Sequence, residues 1–247
     1  MAGAADWQAL LAQPADDTLD LYIDLKSPHA YLAVRPTLEI ARDFRVAVNV
    51  LPYTLSYETL GVSKRVGPEM RREPATPAAD RKARMYYAAA REYAALQNLP
   101  FKSPRRLLDS ALAHRALLFA KKQALEVPFA MQVYLHGWGS GWQAFDLAST
   151  QQLKGACAEV GGDLSGFDDY VRDGGEGEAA LANIVADAES QGLVGTPHYV
   201  FTDHATGQRR GLFGREHLAL LRGKYLRAGL ARRDDVTADF SHAWAPD

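Results

Sequence analysis

The 247-residue chain is 47% hydrophobic and 23% charged, enough apolar surface to bury a substantial core, which excludes intrinsic disorder. Its formal net charge of -2 excludes a general attraction for nucleic acid or anionic membrane, and no basic, aromatic-studded module is present. Cys157 is the only cysteine, which excludes an internal disulfide, a Cys-x-x-Cys redox pair and a cysteine-based zinc site.

Residues 1–18 carry Asp6, Asp16 and Asp17 and no basic segment followed by an apolar one, so a secretory signal is not expected. No apolar run approaches the roughly 18–20 residues that span a bilayer, and a cytoplasmic protein is expected. From Leu19 to Leu25, Leu19, Leu21, Ile23 and Leu25 alternate with Asp20, Tyr22 and Asp24, which predicts a half-buried strand. Ser27-Pro28 follows as an N-cap and a proline suited to the first helical position. By itself this stretch says only that Ser27 caps a helix. That helix is expected to reach Phe44, with a kink or break near Arg35 because Pro36 removes an amide. Val46, Val48 and Val50 then predict a second strand, and the resulting βαβ unit implies parallel strands.

Residues 54–77 read as a loop-rich passage, and helical spacing predicts a helix over 78–97 that Asn98 and Pro100 stop. Ser103-Pro104 repeats the cap signal before Leu107, Leu108 and Phe119 and predicts another helix. A shorter one follows Pro128 to about His136, and the link from Gly137 to Trp142 is expected to break it. Ser149, Ser165 and Glu176 open three more, ending near Val160, Arg172 and Ser190. Strand character returns at His198 to Phe201 and at Gln208 to Phe213 around a polar turn, a hairpin. Gly214 starts a last helix to Leu226, and a polar, loosely packed tail is expected beyond Gly229.

Four stretches together resemble a known family. Asp24-Leu25-Lys26-Ser27-Pro28-His29-Ala30-Tyr31-Leu32-Ala33 is similar to its acidic-x-x-Ser-Pro-aromatic-Ser-Tyr-Leu-Ala. Tyr134-Leu135-His136-Gly137-Trp138-Gly139-Ser140-Gly141 is similar to its Trp-Gly-Glu-Gly passage. Gly195-Thr196-Pro197 resembles its cis-proline loop, and Leu212-Phe213-Gly214-Arg215-Glu216-His217-Leu218 its Phe-Gly-Ser-Asp-Arg-Met. The family is the branch of DsbA-like thioredoxin-fold proteins comprising 2-hydroxychromene-2-carboxylate isomerases and kappa-class glutathione transferases. The resemblance implies an α/β thioredoxin-like domain of residues 17–53 plus 193–229. A large all-helical insertion of residues 54–192 then lies between the βαβ unit and the C-terminal ββα unit, with tails at 1–16 and 230–247.

Its functional implications centre on Ser27. Redox relatives have cysteine there; serine cannot exchange disulfides, so an enzyme built this way is not a disulfide oxidoreductase and must borrow a thiol, for which glutathione is the implied cofactor. A free thiol has a pKa near ~8.5, and lowering it by about one unit needs only ~1.4 kcal/mol, raising the thiolate fraction at neutral pH from roughly 3% to roughly 25%. A helix N-terminus supplies about 0.3–1 kcal/mol, and a charge-assisted bond from the Ser27 hydroxyl adds to it. The implied activity is isomerisation of a 2-hydroxychromene-2-carboxylate-like aromatic substrate by thiolate addition, bond rotation and elimination. A kappa-like glutathione transferase and a non-catalytic thioredoxin-like binding protein remain the alternatives.

By the same resemblance Thr196 and Pro197 cradle the cysteinyl part of glutathione, Arg215 and Glu216 meet its γ-glutamyl part, and Arg65 and Lys82, with Lys64, meet its glycine carboxylate or an acidic substrate. His29, Tyr86 and Trp138 are candidates for the wall of the aromatic substrate pocket, with core packing the competing reading for Tyr86 and Trp138. Arg65 stands where the family often has Asn, Ala89 and Glu92 where it has Asp and Arg, and His29 where it has an aromatic, departures that also fit a binding module. No metal site is expected, because His198 and His204 lack ligand spacing. A homodimer, a small aromatic or unsaturated partner, and no nucleic-acid or membrane partner complete the expectations.

Overall fold

The computed structural model describes residues 4–56, 77–105 and 107–240. A four-stranded mixed sheet has the order β2-β1-β3-β4, formed by β1 (Asp17–Ile23), β2 (Val46–Pro52), β3 (His198–Asp203) and β4 (Gln208–Phe213). β1 runs parallel to β2, with Leu21 opposite Val50, and antiparallel to β3, with Leu21 opposite Tyr199. β3 and β4 form the expected antiparallel hairpin. This is the α/β thioredoxin-like fold with a helical segment between its strand units.

β1 is half-buried over its first part, where Thr18 is exposed and Asp20 only partly covered, and buried on both faces from Leu21 on. Leu19, Leu21 and Ile23 enter the main core with residues of α2 (Pro28–Asp43) and α9 (Leu218–Arg227). On the other face Tyr22 and Val200 pack with Ala188 and partly buried Ile184 and Val185 of α8 (Glu176–Ser190). Helices on both faces thus bury Tyr22 of the other side as well, as parallel pairing tends to require.

α2 runs unbroken through Pro36, against the expected break. Proline removes the amide that would have bonded the carbonyl of residue i−4, here Leu32. The buried Gln97 side chain fills that vacancy, its Nε2 donating to Leu32 O at 3.0 Å. Gln97 stands just beyond α3 (Pro77–Leu96), so the insertion repairs the helix of the thioredoxin unit.

Between α3 and α4 (Ala111–Lys121) the Ser103-Pro104 signal starts no helix. The segment is held instead from outside: Lys102 N–H donates to Trp138 O at 2.6 Å, and Pro100 O accepts from the Tyr31 hydroxyl at 3.4 Å. α5 (Glu126–Tyr134) carries Pro128 in its first turn and continues into a π-helical turn at Leu135–Ser140, where a break was expected. Gly137 is needed there because a Cβ would enter the indole of Trp142. α6 (Thr150–Glu159) is capped by Ser149, whose hydroxyl accepts from Gln152 N–H at 3.4 Å. α7 (Phe167–Val171) begins two residues after Ser165.

Neither tail is loose among the described residues. α1 (Ala4–Leu11), which no sequence signal announced, buries Trp7. Beyond α9, Arg232 donates to Ala41 O at 3.1 Å and to Pro14 O at 2.8 Å, and Thr237 O accepts from buried Arg222 at 2.9 Å. Among the described residues no helix is long and apolar enough to cross a membrane.

Candidate functional site

Ser27 stands where β1 hands over to α2. Its backbone is extended (φ -88°, ψ 120°), and its Oγ accepts from Ala30 N–H at 3.3 Å, the cap expected of Ser-Pro. The Oγ also lies 3.5 Å from Thr196 O, and the Thr196–Pro197 bond is cis. Two loops 169 residues apart therefore meet at one helix N-terminus, where anions are favoured.

Behind Ser27 lies a buried polar cluster. The Asp24 carboxylate accepts from Lys26 N–H at 3.0 Å and from Leu55 N–H at 2.7 Å, and sits 3.2 Å from the Lys26 ammonium. Burial pushes this carboxyl up, but the Lys26 charge and these donors outweigh it and hold it far below the usual carboxylate range. The Lys26 ammonium also donates to Leu55 O at 2.8 Å and to Ser110 Oγ at 3.2 Å. His114 Nε2 accepts from Leu25 N–H at 3.1 Å, so it cannot also donate to Asp24 Oδ1 at 3.3 Å, while its Nδ1 pairs with Thr54 Oγ1 at 2.7 Å. Lys26 is thus engaged as a strut with Asp24, Leu55 and Ser110.

Beside this junction opens a cavity of about 320 Å³, lined by His29, Tyr86, Tyr93, Thr196, Pro197 and Phe213 with the turn of Gly214, Arg215 and Glu216. Gly214 takes φ 110°, and the Glu216 carboxylate folds back over its bare Cα. A β-carbon would therefore be strained and would also strike Glu216. Arg215 is buried with its guanidinium 3.9 Å from the centre of the Tyr93 ring. Among the described residues its Nη1 and the Thr196 Oγ1 are buried polar atoms without a hydrogen-bond partner, a state that normally marks a position where a ligand or water completes the bonding.

His29 meets the Tyr86 ring edge-on, with centroids 4.2 Å apart. Burial, and then the Arg215 charge, push its imidazole down to about 4 against an opposing pull from Glu216. Burial drives the Tyr86 hydroxyl up to about 12 against a smaller opposing influence of Ser27.

The structure thus brings Ser27, Thr196, Pro197, Arg215, Glu216, His29 and Tyr86 together. Trp138 is not in the cavity wall: it is fully buried, stacked on Phe101 at 4.9 Å and edge-on to Trp142 at 5.0 Å. Lys82 is exposed on α3 and also outside the wall. Arg65, with Lys64, lies outside the described residues. Sequence reasoning missed Asp24, His114 and Ser110, whose partners are far apart along the chain, and Tyr93, whose only signal was helical spacing. Cys157 is buried in α6, its thiol pushed up by burial. Among the described residues no three or more His, Cys, Asp or Glu gather as metal ligands would.

The sheet order, the cis-proline opposite the start of α2 and the inserted helices define a thioredoxin-like protein. Residues 18–226 match the model of the DSBA-like thioredoxin domain, and the chain belongs to that family. No curated protein sequence matches it. Among solved structures it is similar to a 2-hydroxychromene-2-carboxylate isomerase, at 17% identity and TM-score 0.67 over 86% of this chain and 96% of that one. It is also similar to a probable DsbA oxidoreductase from Streptomyces coelicolor, at 16% identity and TM-score 0.66 over 90% and 93%. A third is the cytosolic disulfide reductase DsbM from Pseudomonas aeruginosa with GSH, at 17% identity and TM-score 0.56 over 86% and 97%. At such identities the likeness is one of fold.

Proposed function

We propose that the protein is a glutathione-dependent isomerase of 2-hydroxychromene-2-carboxylate-like aromatic substrates, with Ser27 stabilising the glutathione thiolate. The observation that carries this reading is Ser27 itself: a hydroxyl capping α2 opposite the cis Thr196–Pro197 bond, at the position where the redox members of the fold keep cysteine. The chain's own thiol is remote, since Cys157 lies buried in α6, which disfavours a disulfide reductase.

The cavity residues fit the group. Among the described residues Arg215 Nη1 offers an unused donor to a carboxylate and Thr196 Oγ1 is likewise unsatisfied, and the Glu216 carboxylate is in the wall to receive an ammonium. About 320 Å³ is at the lower end of small-molecule pockets, roughly 300–1,000 Å³. Bound glutathione would supply a nucleophilic sulfur for reversible addition to a conjugated carbon, which frees rotation about the former double bond. The residues of this chain orient it, favour its anion at the start of α2, and present Tyr93 and Phe213 to the aromatic acceptor.

Calorimetric titration with glutathione tests the reading. Binding at millimolar ligand or tighter is expected, and Ser27→Ala should lower turnover of a 2-hydroxychromene-2-carboxylate-type acid about tenfold, the effect of about 1.4 kcal/mol. Absence of binding, or full turnover in Ser27→Ala, would refute it.

A further inference from the structure

Arg215 is a buried guanidinium that the chain leaves without a counterion. Only 4% of it is exposed, and among the described residues it makes no salt bridge and its Nη1 has no acceptor. Glu216, its neighbour in sequence, is exposed and has its carboxylate folded over Gly214 instead. Taking a charge out of water is costly unless a partner repays it, and burial accordingly pushes the Arg215 pKa down. The cavity that Arg215 lines is where a partner can enter, and Thr196 Oγ1 is a second unpartnered buried polar atom in the same wall among the described residues.

What the chain does supply is a backing. The guanidinium carbon lies 3.9 Å from the centre of the Tyr93 ring, and Tyr93 lines the same cavity. Arg215 belongs to the turn after β4, Tyr93 to α3 of the helical insertion, so the pair joins the two parts of the fold. A guanidinium is a planar fork whose N–H donors all point outward in its plane. A ring against its face therefore takes up no donor, attracts the charge and limits the swing of a long side chain. The Nη1 edge stays available to a ligand.

We propose that Tyr93 is a positioning residue of an anion site, holding the Arg215 fork in place to receive a carboxylate of the ligand. The planar anion matches the fork, and two ligands of the glutathione reading above, on which the proposal rests, carry one. These are the γ-glutamyl end of glutathione and the aromatic keto acid. Tyr93 touches neither reacting atom and acts only through Arg215.

The test compares calorimetric affinities within two pairs of ligands that differ by one carboxylate. The first is glutathione against 4-aminobutanoyl-cysteinylglycine, which is glutathione without its α-carboxylate. The second, with no thiol present, is benzylidenepyruvate against its methyl ester. Wild type should prefer the acid in at least one pair, and that pair identifies the carboxylate that Arg215 reads. Tyr93→Leu should cut the preference about tenfold, ~1.4 kcal/mol, while Tyr93→Phe keeps it within about twofold, ~0.4 kcal/mol. Affinity for the carboxylate-free ligand should stay within about twofold throughout, which a collapsed site would not allow. In Arg215→Met the preference should vanish, and adding Tyr93→Leu should change nothing further. A preference that survives Tyr93→Leu, or that wild type lacks in both pairs, would overturn this inference alone. A wild type that fails to bind glutathione yet prefers benzylidenepyruvate in a Tyr93-dependent way would remove the glutathione reading and leave the anion site standing.

Discussion

His198 leans across the sheet onto Gly211, where a β-carbon would come 2.5 Å from its Nε2, and burial pushes its imidazole down to about 4. His29, in the cavity wall, is held at about 4 for the same first reason. In the unfolded chain a histidine titrates near ~6.5. Between 6.5 and 4 the unfolded state therefore binds protons that the native state refuses. The stability is fully present above about 6.5 and is lost as pH falls toward 4, at up to ~1.4 kcal/mol per pH unit for each histidine. Urea unfolding at stepped pH should show this slope, and His29→Phe should flatten it by up to half. An unchanged slope in that variant would assign the effect elsewhere. Asp24 acts in a different window: its depressed carboxyl favours the native state above about 3.9 and gives up that contribution only in stronger acid.

At the scale of elements, the decisive bond is the one between Gln97 and Leu32 O. Gln97→Leu leaves a buried carbonyl without a donor and should cost about 1–3 kcal/mol. Pro36→Ala restores the helical amide to that carbonyl, so the same leucine substitution in the Pro36→Ala background should cost less. A double-mutant cycle by urea denaturation should give a coupling of at least about 0.5 kcal/mol; strict additivity would mean that Gln97 does not stand in for the missing amide. This bond also shows where legibility ended. The alternation of β1, the Ser27-Pro28 cap and the hairpin were readable because their physics is local, and the Gly195-Thr196-Pro197 turn was readable by resemblance. Passage through Pro36 was not, because its rescue comes from a side chain 65 residues away. The silent Ser103-Pro104 cap and the continued turn at Gly137 failed in the same way, overruled by Trp138 O and by the Trp142 indole. At the site, Ser27 was visible, while Asp24 looked like a solvated strand residue because the Leu55 N–H that binds its carboxylate lies 31 residues further along the chain.

For the molecule as a whole, one hydrophobic cluster joins both parts. Leu19, Leu21 and Val50 of the sheet share it with Leu117, Phe129, Trp138 and Leu153 of the helices between the strand units. A shared core of this kind predicts one cooperative transition. Tryptophan fluorescence, dominated by interior Trp138 and Trp142, and far-ultraviolet circular dichroism should follow the same denaturation curve, whereas two separated midpoints would mean that the helical segment unfolds on its own. The Asp24 strut has a consequence of another kind. It pins the end of β1 to Leu55, Thr54, Ser110 and His114 using no side chain of the cavity wall. The walls themselves, His29, Tyr93 and Phe213, come from three other places in the chain. Framework and lining are thus encoded by separate residues, so new substrate ranges can be selected at the lining positions, by nature or in a library, without drawing on the interactions that keep Ser27 at the head of its helix.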